Sequence, residues 1–239
     1  MTFHPCYLSS WLKKDPGALL VGMERTQLQR LLKPMAGDYL VQIGGLPELT
    51  SGSSIRFKWF FNTQAKSGAI QVALDELPLI ADSVDAIVIV HVLEFLPKPK
   101  IVLREAARAL APGGQLIIVG LNPWSLWGLK HRFTHDHDLP WNGHFWSPWQ
   151  VKHWQRELGL RIVMGDTFCF RPPLHDLRAW QRLLWLEALG PFFFPAWGGF
   201  YITAAQKRVI GMTPLKQPAW SKKVDLSKSL EPTTRNVTE

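Results

Sequence analysis

The clearest pattern of apolar and polar positions is a strand–helix–strand unit near the middle of the chain. The run from Val84 to Val90 is apolar and rich in β-branched residues, which is typical of a strand buried on both faces of a parallel sheet. Ile101 to Leu110 has apolar residues at helical spacing, and Gln115 to Gly120 is a second apolar run after Gly113 and Gly114. The pattern predicts a βαβ unit with parallel strands and a right-handed crossover.

The segments on both sides of this unit also carry helix and strand patterns. Ser147 precedes an amphipathic stretch that ends at Gly159, which predicts a capped helix, and Leu121 to Phe145, rich in Trp, His and Pro, predicts a long loop. The predicted helices are Gly17–Leu32, Trp149–Leu158 and His175–Ala188, and the predicted strands are Tyr39–Ile43, Ile55–Phe61, Ile70–Leu74, Leu160–Met164 with Thr167–Phe170, and Gly199–Val209.

This order of elements predicts a three-layer α/β fold with one Rossmann-like sheet. The sheet is expected to be mostly parallel, with an antiparallel C-terminal strand. Ligands of such sheets bind at the carboxyl ends of the strands. The residues predicted to lie at those ends are Ile43 to Gly45, Leu74 and Asp75, His91, and Asn122.

The composition limits the class of protein. The chain has 239 residues, of which 46% are apolar and 19% charged, and this excludes wholesale disorder. Cys6 and Cys169 cannot form a disulfide framework, and no basic start followed by an apolar run opens the sequence. We therefore expect a cytoplasmic protein without a secretory signal.

The net charge of +8 is concentrated towards the C-terminus. The tail from Lys207 to Glu239 has seven basic residues against three acidic ones. A solvated, disordered tail over residues 214–239 is the favoured interpretation, and attraction to nucleic acid or an anionic membrane is the alternative. Since the basic residues do not follow a groove-forming element, no obligatory nucleic-acid partner is expected.

Two aromatic-rich regions leave alternatives open. Seven of the twelve tryptophans lie between Trp124 and Trp180, and they suit both core packing and a ligand pocket. The stretch from Ala179 to Ala205 is very apolar, but charges, prolines and glycines interrupt it, so it is not a transmembrane span. It predicts core packing or an apolar lid, with shallow membrane contact as the alternative.

The middle of the chain resembles class I S-adenosylmethionine-dependent methyltransferases of the type 11 kind. The similarity covers about residues 40–209 and is strongest from Leu74 to Gly128. Within that part, the segment from Gly120 to Gly128 resembles a bacterial branch of the family. The motifs that carry it, in the family's order and spacing, are Leu77-Pro78-Leu79, Ser83-Val84-Asp85, His91-Val92-Leu93-Glu94 and Leu110-Ala111-Pro112-Gly113-Gly114.

The resemblance implies a methyltransferase-like domain over residues 1–213, with a core at 17–128 and a covering region at 140–197. It also implies S-adenosylmethionine as the cofactor. The glycine loop after the first strand is degenerate, because Gly44 is retained while Leu46 and Glu48 occupy the next two glycine positions. The residues that the resemblance places at the cofactor are Gln42, Gly44, Gly45, Asn62, Leu74, Asp75 and His91.

Two residues at the predicted strand ends also suggest roles at the substrate that would accept the methyl group. By analogy His91 points towards the site of methyl transfer, where it could act as a general base, or else it hydrogen-bonds the end of its strand. Asn122 could contact the substrate, or else it shapes the turn before Pro123. Glu94 is expected to cap nearby backbone.

Other catalytic signatures are weak or missing. His135 to Asp138, with His131 and His144 nearby, contain ligands that zinc accepts, but a polar loop is the favoured interpretation and no metal is expected. The sequence has no P-loop, no GxSxG and no HExxH motif. The resemblance therefore makes methyl transfer to a small, lipophilic acceptor the leading hypothesis. A non-catalytic cofactor sensor or scaffold and an RNA methyltransferase are the alternatives.

Overall fold

The computed structural model describes residues 17–63, 69–133, 143–174 and 176–208. Its seven strands are β1 (Tyr39–Ile43), β2 (Phe57–Asn62), β3 (Ile70–Gln71), β4 (Val84–Val90), β5 (Leu110–Leu121), β6 (Leu160–Phe168) and β7 (Phe200–Lys207). They form one sheet in the order β3-β2-β1-β4-β5-β7-β6. Strand β7 is antiparallel to both of its neighbours, and the other pairs are parallel. The predicted α/β fold and its antiparallel C-terminal strand are confirmed.

Helices cover both faces of this sheet. They are α1 (Gly17–Leu32), α2 (Pro99–Ala109), α3 (Leu126–Phe133), α4 (Pro148–Glu157), α5 (Leu177–Arg182) and α6 (Trp185–Phe193). Single 3₁₀ turns span Pro47–Thr50 and Leu93–Phe95. The predicted βαβ unit is present as β4, α2 and β5, and Ser147 caps α4 by accepting a hydrogen bond from the N–H of Gln150.

The alternation of side chains along β4 explains why this strand lies at the centre. Val88 and Val90 pack on the same face as Leu20 and Leu28 of α1. Ile89 points to the opposite face, where the core contains residues of α2 and α4. Because both faces are covered, a continuous apolar run is the pattern that this strand requires.

The long loop predicted from Leu121 to Phe145 is partly wrong, because α3 forms within it. Trp127 is fully buried, lies with its ring 5.3 Å from that of Phe200, and donates its Nε1 hydrogen to the carbonyl of Arg171. This tertiary contact fixes a helix that the Trp, His and Pro content of the segment had hidden. Residues 134–142, with the histidine pair at 135 and 137, lie outside the described residues.

Several predicted boundaries also need correction. The predicted helix over His175–Ala188 is two helices, α5 and α6, and α6 continues through Pro191. The two strand segments predicted after Leu160 form the single strand β6, whose pairing shifts between Ile162 and Met164. Strand β5 begins five residues earlier than predicted because Ala111 to Gly114 continue the strand, with a register shift opposite Val84 and Ala86.

The region from 140 to 197 was expected to cover the strand ends. Its described helices and strand lie in three different places in the fold. Strand β6 takes the edge of the sheet, α4 packs on one face, and α5 and α6 follow the carboxyl end of β6. In the described ranges, no helix is long and apolar enough to cross a membrane. The predicted tail at 214–239 lies beyond the residues that the structure describes.

Candidate functional site

The turn after β1 is held by the side chain of Gln42. Its Nε2 donates to the carbonyls of Gly44 and Leu46, each at 2.8 Å, and its Oε1 accepts from the hydroxyl of Thr50 at 2.8 Å. Gln42 is almost fully buried. An amide suits this place because it combines two donors with an acceptor, whereas a carboxylate could not donate to the two carbonyls.

Gly44 and Gly45 bring this turn against the end of β4. Their φ angles are 74° and 70°, a region that favours glycine. A Cβ on Gly44 would collide with Val92 and would lie 2.6 Å from the carbonyl oxygen of Val90. Both the conformation and the close approach therefore require glycine at position 44.

The next residues predicted to contact the cofactor lie at or beyond the ends of β2 and β3. Asn62 is buried at the end of β2, where its Oδ1 accepts from the N–H of Thr63 at 2.8 Å. Beyond β3, Leu74 is buried in the core while Asp75 is exposed. Because β2, β1 and β4 are neighbours and parallel, Gly44, Asn62 and His91 lie at one edge of the sheet.

A buried acid–histidine cluster, formed by Glu24, His91 and Glu94, occupies the carboxyl end of β4. The Nε2 atom of His91 lies 2.6 Å from Oε1 of Glu24, and Nδ1 lies 3.6 Å from Oε1 of Glu94. Glu94 also accepts from the N–H of Leu121 at 2.9 Å, so it links the ends of β4 and β5. None of the three side chains is more than 2% exposed.

The two carboxylates determine the protonation of His91. Burial alone would lower the pKa of the imidazole, but the charges and hydrogen bonds of Glu24 and Glu94 outweigh it and raise the pKa to about 10. His91 is therefore an imidazolium near neutral pH. Of the two roles that the sequence left open for His91, this protonation disfavours the general base, because the ring has no free lone pair until the pH approaches that value.

Glu24 is the residue of the cluster that the sequence interpretation missed. It lies on the buried face of α1 between Leu20 and Leu28, and none of the three is exposed. The four-residue spacing on either side shows that Glu24 falls within the apolar stripe of the helix. A carboxylate at such a position needs a buried partner, and this signal could have led to His91.

The cluster also has buried polar atoms that have no hydrogen-bond partner of ordinary length among the described residues. They are Oε2 of Glu24, Nδ1 of His91 and Oε2 of Glu94. Beside them, burial and the charge of Glu94 raise the pKa of the Tyr201 phenol well above its usual value. Tyr201 therefore stays protonated, and the local charge is set by the histidine and the two acids.

Asn122 connects the end of β5 to the segment before β7. Its Nδ2 donates to the carbonyls of Ala196 at 2.7 Å and Gly198 at 2.9 Å, and its Oδ1 accepts from the N–H of Trp124. The side chain is fully buried. This geometry matches the turn role rather than the substrate contact, because the polar atoms of Asn122 all bond within the chain.

No group of three His, Cys, Asp or Glu side chains suited to a metal ion occurs within residues 17–63, 69–133, 143–174 and 176–208. In the acid–histidine cluster, the side chains of His91, Glu24 and Glu94 form an ion-pair network. Its nearest neighbours along the sheet are the glycine turn of β1 and the backbone from Val90 to Val92.

Comparisons with known proteins agree with this fold. A family model described as a methyltransferase domain matches residues 56–118. The protein YafS of Escherichia coli (strain K12) is 28% identical over an alignment of 205 residues, and the match covers 81% of this chain and 80% of that protein. These matches include β4, α2 and most of β5.

Solved structures resemble nearly the whole domain. A Thermotoga maritima protein named as a SAM-dependent methyltransferase, possible histamine N-methyltransferase, has a TM-score of 0.62 at 17% identity, with 86% of this chain and 98% of that chain covered. Geranyl diphosphate methyltransferase in complex with SAM has a TM-score of 0.52 at 15% identity, with 77% and 84% covered.

Proposed function

We propose that this chain, a class I S-adenosylmethionine-dependent methyltransferase by its fold and its matched domain, transfers the methyl group to a small, lipophilic acceptor. The cofactor supplies an activated methyl group on a sulfonium, and the protein has to align the acceptor in line with it. Alignment needs few catalytic side chains, which agrees with the absence of a triad or dyad motif from the sequence.

The cofactor would be held more by backbone than by side chains. Gly44 and Gly45 give a turn without Cβ atoms at the end of β1, and the backbone from Val90 to Val92 would face the methionine part. The amide NH2 of Asn62 is the group that would donate to a ribose hydroxyl. Leu74 and Asp75 would lie beside the adenine. Gln42 would act indirectly, because its hydrogen bonds hold the turn.

His91 has a positioning role in this proposal. Its φ of 50° is unusual for a residue other than glycine, and its N–H donates to the carbonyl of Val119 at 3.1 Å. The ion pairs to Glu24 and Glu94 hold it there and so fix the course of the chain at the end of β4. Because its ring is already protonated, His91 does not accept the proton that the acceptor loses on methylation.

The observation that supports a lipophilic acceptor is an exposed aromatic rim beside the carboxyl edge of the sheet. The rim consists of Trp124, Phe194 and Trp197, of which Trp124 is 73% and Trp197 is 54% exposed. The side chain of Asn122 hydrogen-bonds to the backbone of Trp124, Ala196 and Gly198, and so it connects the two chain segments that carry the rim. Exposed aromatic side chains next to a cofactor edge favour apolar ligands.

A non-catalytic sensor or scaffold is the second candidate, and one observation favours it. The space at the Cβ positions of Gly44 and Gly45 is filled by the chain's own Val90 and Val92, so packing alone explains both glycines. An RNA methyltransferase finds no such support, because half of the net charge of +8 lies in the tail from Lys207 to Glu239 and the basic residues do not follow a groove-forming element.

Calorimetric titration with S-adenosylmethionine and with S-adenosylhomocysteine tests the first step. We expect both to bind with a stoichiometry of one, and a chain that binds neither at about 1 mM supports loss of the cofactor site. Transfer of a labelled methyl group to amines and alcohols of increasing chain length then tests the acceptor. Trp124→Ser should raise KM for the longest chains, while the control Ile80→Ser, at an exposed position beyond β3, should not.

A further inference from the structure

Helix α6 exposes one apolar face to solvent. Its face residues are Trp185, Leu189, Phe192 and Phe193, and they are between 45% and 84% exposed. They follow one another at helical spacing, within about a third of the helix circumference. Isolated exposed apolar residues are ordinary, but four large ones on a single helix face form a patch of the kind that binds a partner.

The opposite face of α6 is anchored, so the exposed face belongs to the folded arrangement. Glu187 accepts a hydrogen bond from Nε of Arg171 at 3.0 Å, and the guanidinium of Arg171 lies 3.5 Å from the ring centre of Trp180. Gly190 is buried against Phe170, and a Cβ there would lie 2.8 Å from the Cβ of that residue. The helix therefore cannot rotate its aromatic face inwards without breaking these contacts.

The charges around the face favour an anionic partner. Between residues 177 and 197 the sequence has two basic residues, Arg178 and Arg182, and one acid, Glu187, which is already paired with Arg171. Both arginines are exposed on α5, immediately before α6. Aromatic residues with adjacent arginines are typical of helices that lie in the interface of a bilayer.

We propose that the aromatic face of α6 binds the surface of an anionic lipid bilayer, with the helix lying in the plane of the interface. Nine residues are too few to cross the hydrocarbon core, so insertion stops at the level of the headgroups and upper acyl chains. Phe192 and Phe193 enter the apolar region, and Arg178 and Arg182 meet the phosphates. None of the four face residues is among those proposed to contact the cofactor, so binding to lipid can be measured without the cofactor.

Flotation of the full-length protein with lipid vesicles tests the proposal. We expect binding to phosphatidylcholine vesicles that contain about 30% phosphatidylglycerol, weaker binding to pure phosphatidylcholine, and a decrease with added salt. The double variant Phe192→Ser/Phe193→Ser should weaken binding about 10- to 100-fold, because two partly buried phenyl groups are lost. Arg178→Gln and Arg182→Gln should each weaken binding to the anionic vesicles about fivefold.

The control variant is Ile80→Ser, which removes an apolar side chain that is 80% exposed, against 84% for Phe192. It should bind vesicles as the parent does. Full binding by the double serine variant would place the contact elsewhere, for example in the basic tail, and would overturn the proposal. So would a parent that binds no vesicle but forms a dimer that the double variant abolishes, because the face would then join two copies of the chain.

Discussion

The Nε2 atom of His91 lies 2.6 Å from Oε1 of Glu24, although the two residues are 67 positions apart and both are buried. One belongs to the helix before the sheet and the other follows the central strand. The contact therefore fixes α1 over the carboxyl end of β4, the edge at which open α/β sheets generally bind their ligands. Breaking a buried pair from one side is costly because the remaining charge stays buried without that counter-charge.

Replacing Glu24 with glutamine should destabilise the protein by about 3 kcal/mol, because the buried imidazolium loses its closest counter-charge. Urea unfolding followed by circular dichroism measures this change. Glu157→Gln is the matched control, since Glu157 forms exposed ion pairs with Lys100 and His153 and its loss should leave the midpoint nearly unchanged. Equal midpoints for the two variants would contradict a stabilising role for the buried pair.

Stability should fall as the pH rises from about 7 towards 10. The pKa of His91 is raised to about 10 in the folded protein and is about 6.5 in the unfolded chain, so between these values the folded state binds the extra proton. The stabilisation is complete below the unfolded value and is lost as the pH passes the folded one. Its contribution to the slope is at most about 1.4 kcal/mol per pH unit.

Urea unfolding at a series of pH values checks this dependence. His91→Gln should flatten the curve above neutral pH, whereas His153→Gln, at an exposed histidine of α4, should retain the slope of the parent. A parent whose stability is constant up to pH 10 would mean that His91 is neutral in the folded state. This readout reports the protonation of His91 directly and does not depend on enzyme activity.

Elements that local residues determine were predicted from the sequence, whereas an element fixed by contacts with distant residues was missed. The unit from β4 to β5 was predicted well, apart from the start of β5, because its strands and helix are each a contiguous apolar or amphipathic run. Helix α3 was missed because Trp127 is fixed by Arg171 and Phe200, which are remote in sequence. The position of His91 at a strand end was predictable, but its two acidic partners and its protonation required the fold.

Placing an acid at the end of β1, as in the methyltransferases that the sequence resembles, should destabilise this chain. In Gln42→Glu a carboxylate would face the carbonyls of Gly44 and Leu46, where the amide now donates two hydrogen bonds. We expect a loss of about 2–4 kcal/mol, larger than for Gln42→Ala, because unpaired acceptors would be buried together. Thermal unfolding of both variants decides the order, and a glutamate variant more stable than the alanine variant would contradict this account of the turn.

Substitution of Gly44 separates binding on the glycine turn from binding elsewhere. A valine there must adopt a φ near 74° and would meet Val92 and the carbonyl of Val90, so the turn has to move away from β4. Gly44→Val should therefore abolish S-adenosylmethionine binding measured by calorimetry. Gly22→Val is the matched control because Gly22 lies in α1 with open space around its Cβ position, and it should bind as the parent does. Circular dichroism and urea unfolding establish that each variant is folded before titration. A folded Gly44→Val protein that binds with the affinity of the parent would show that the cofactor does not contact this turn.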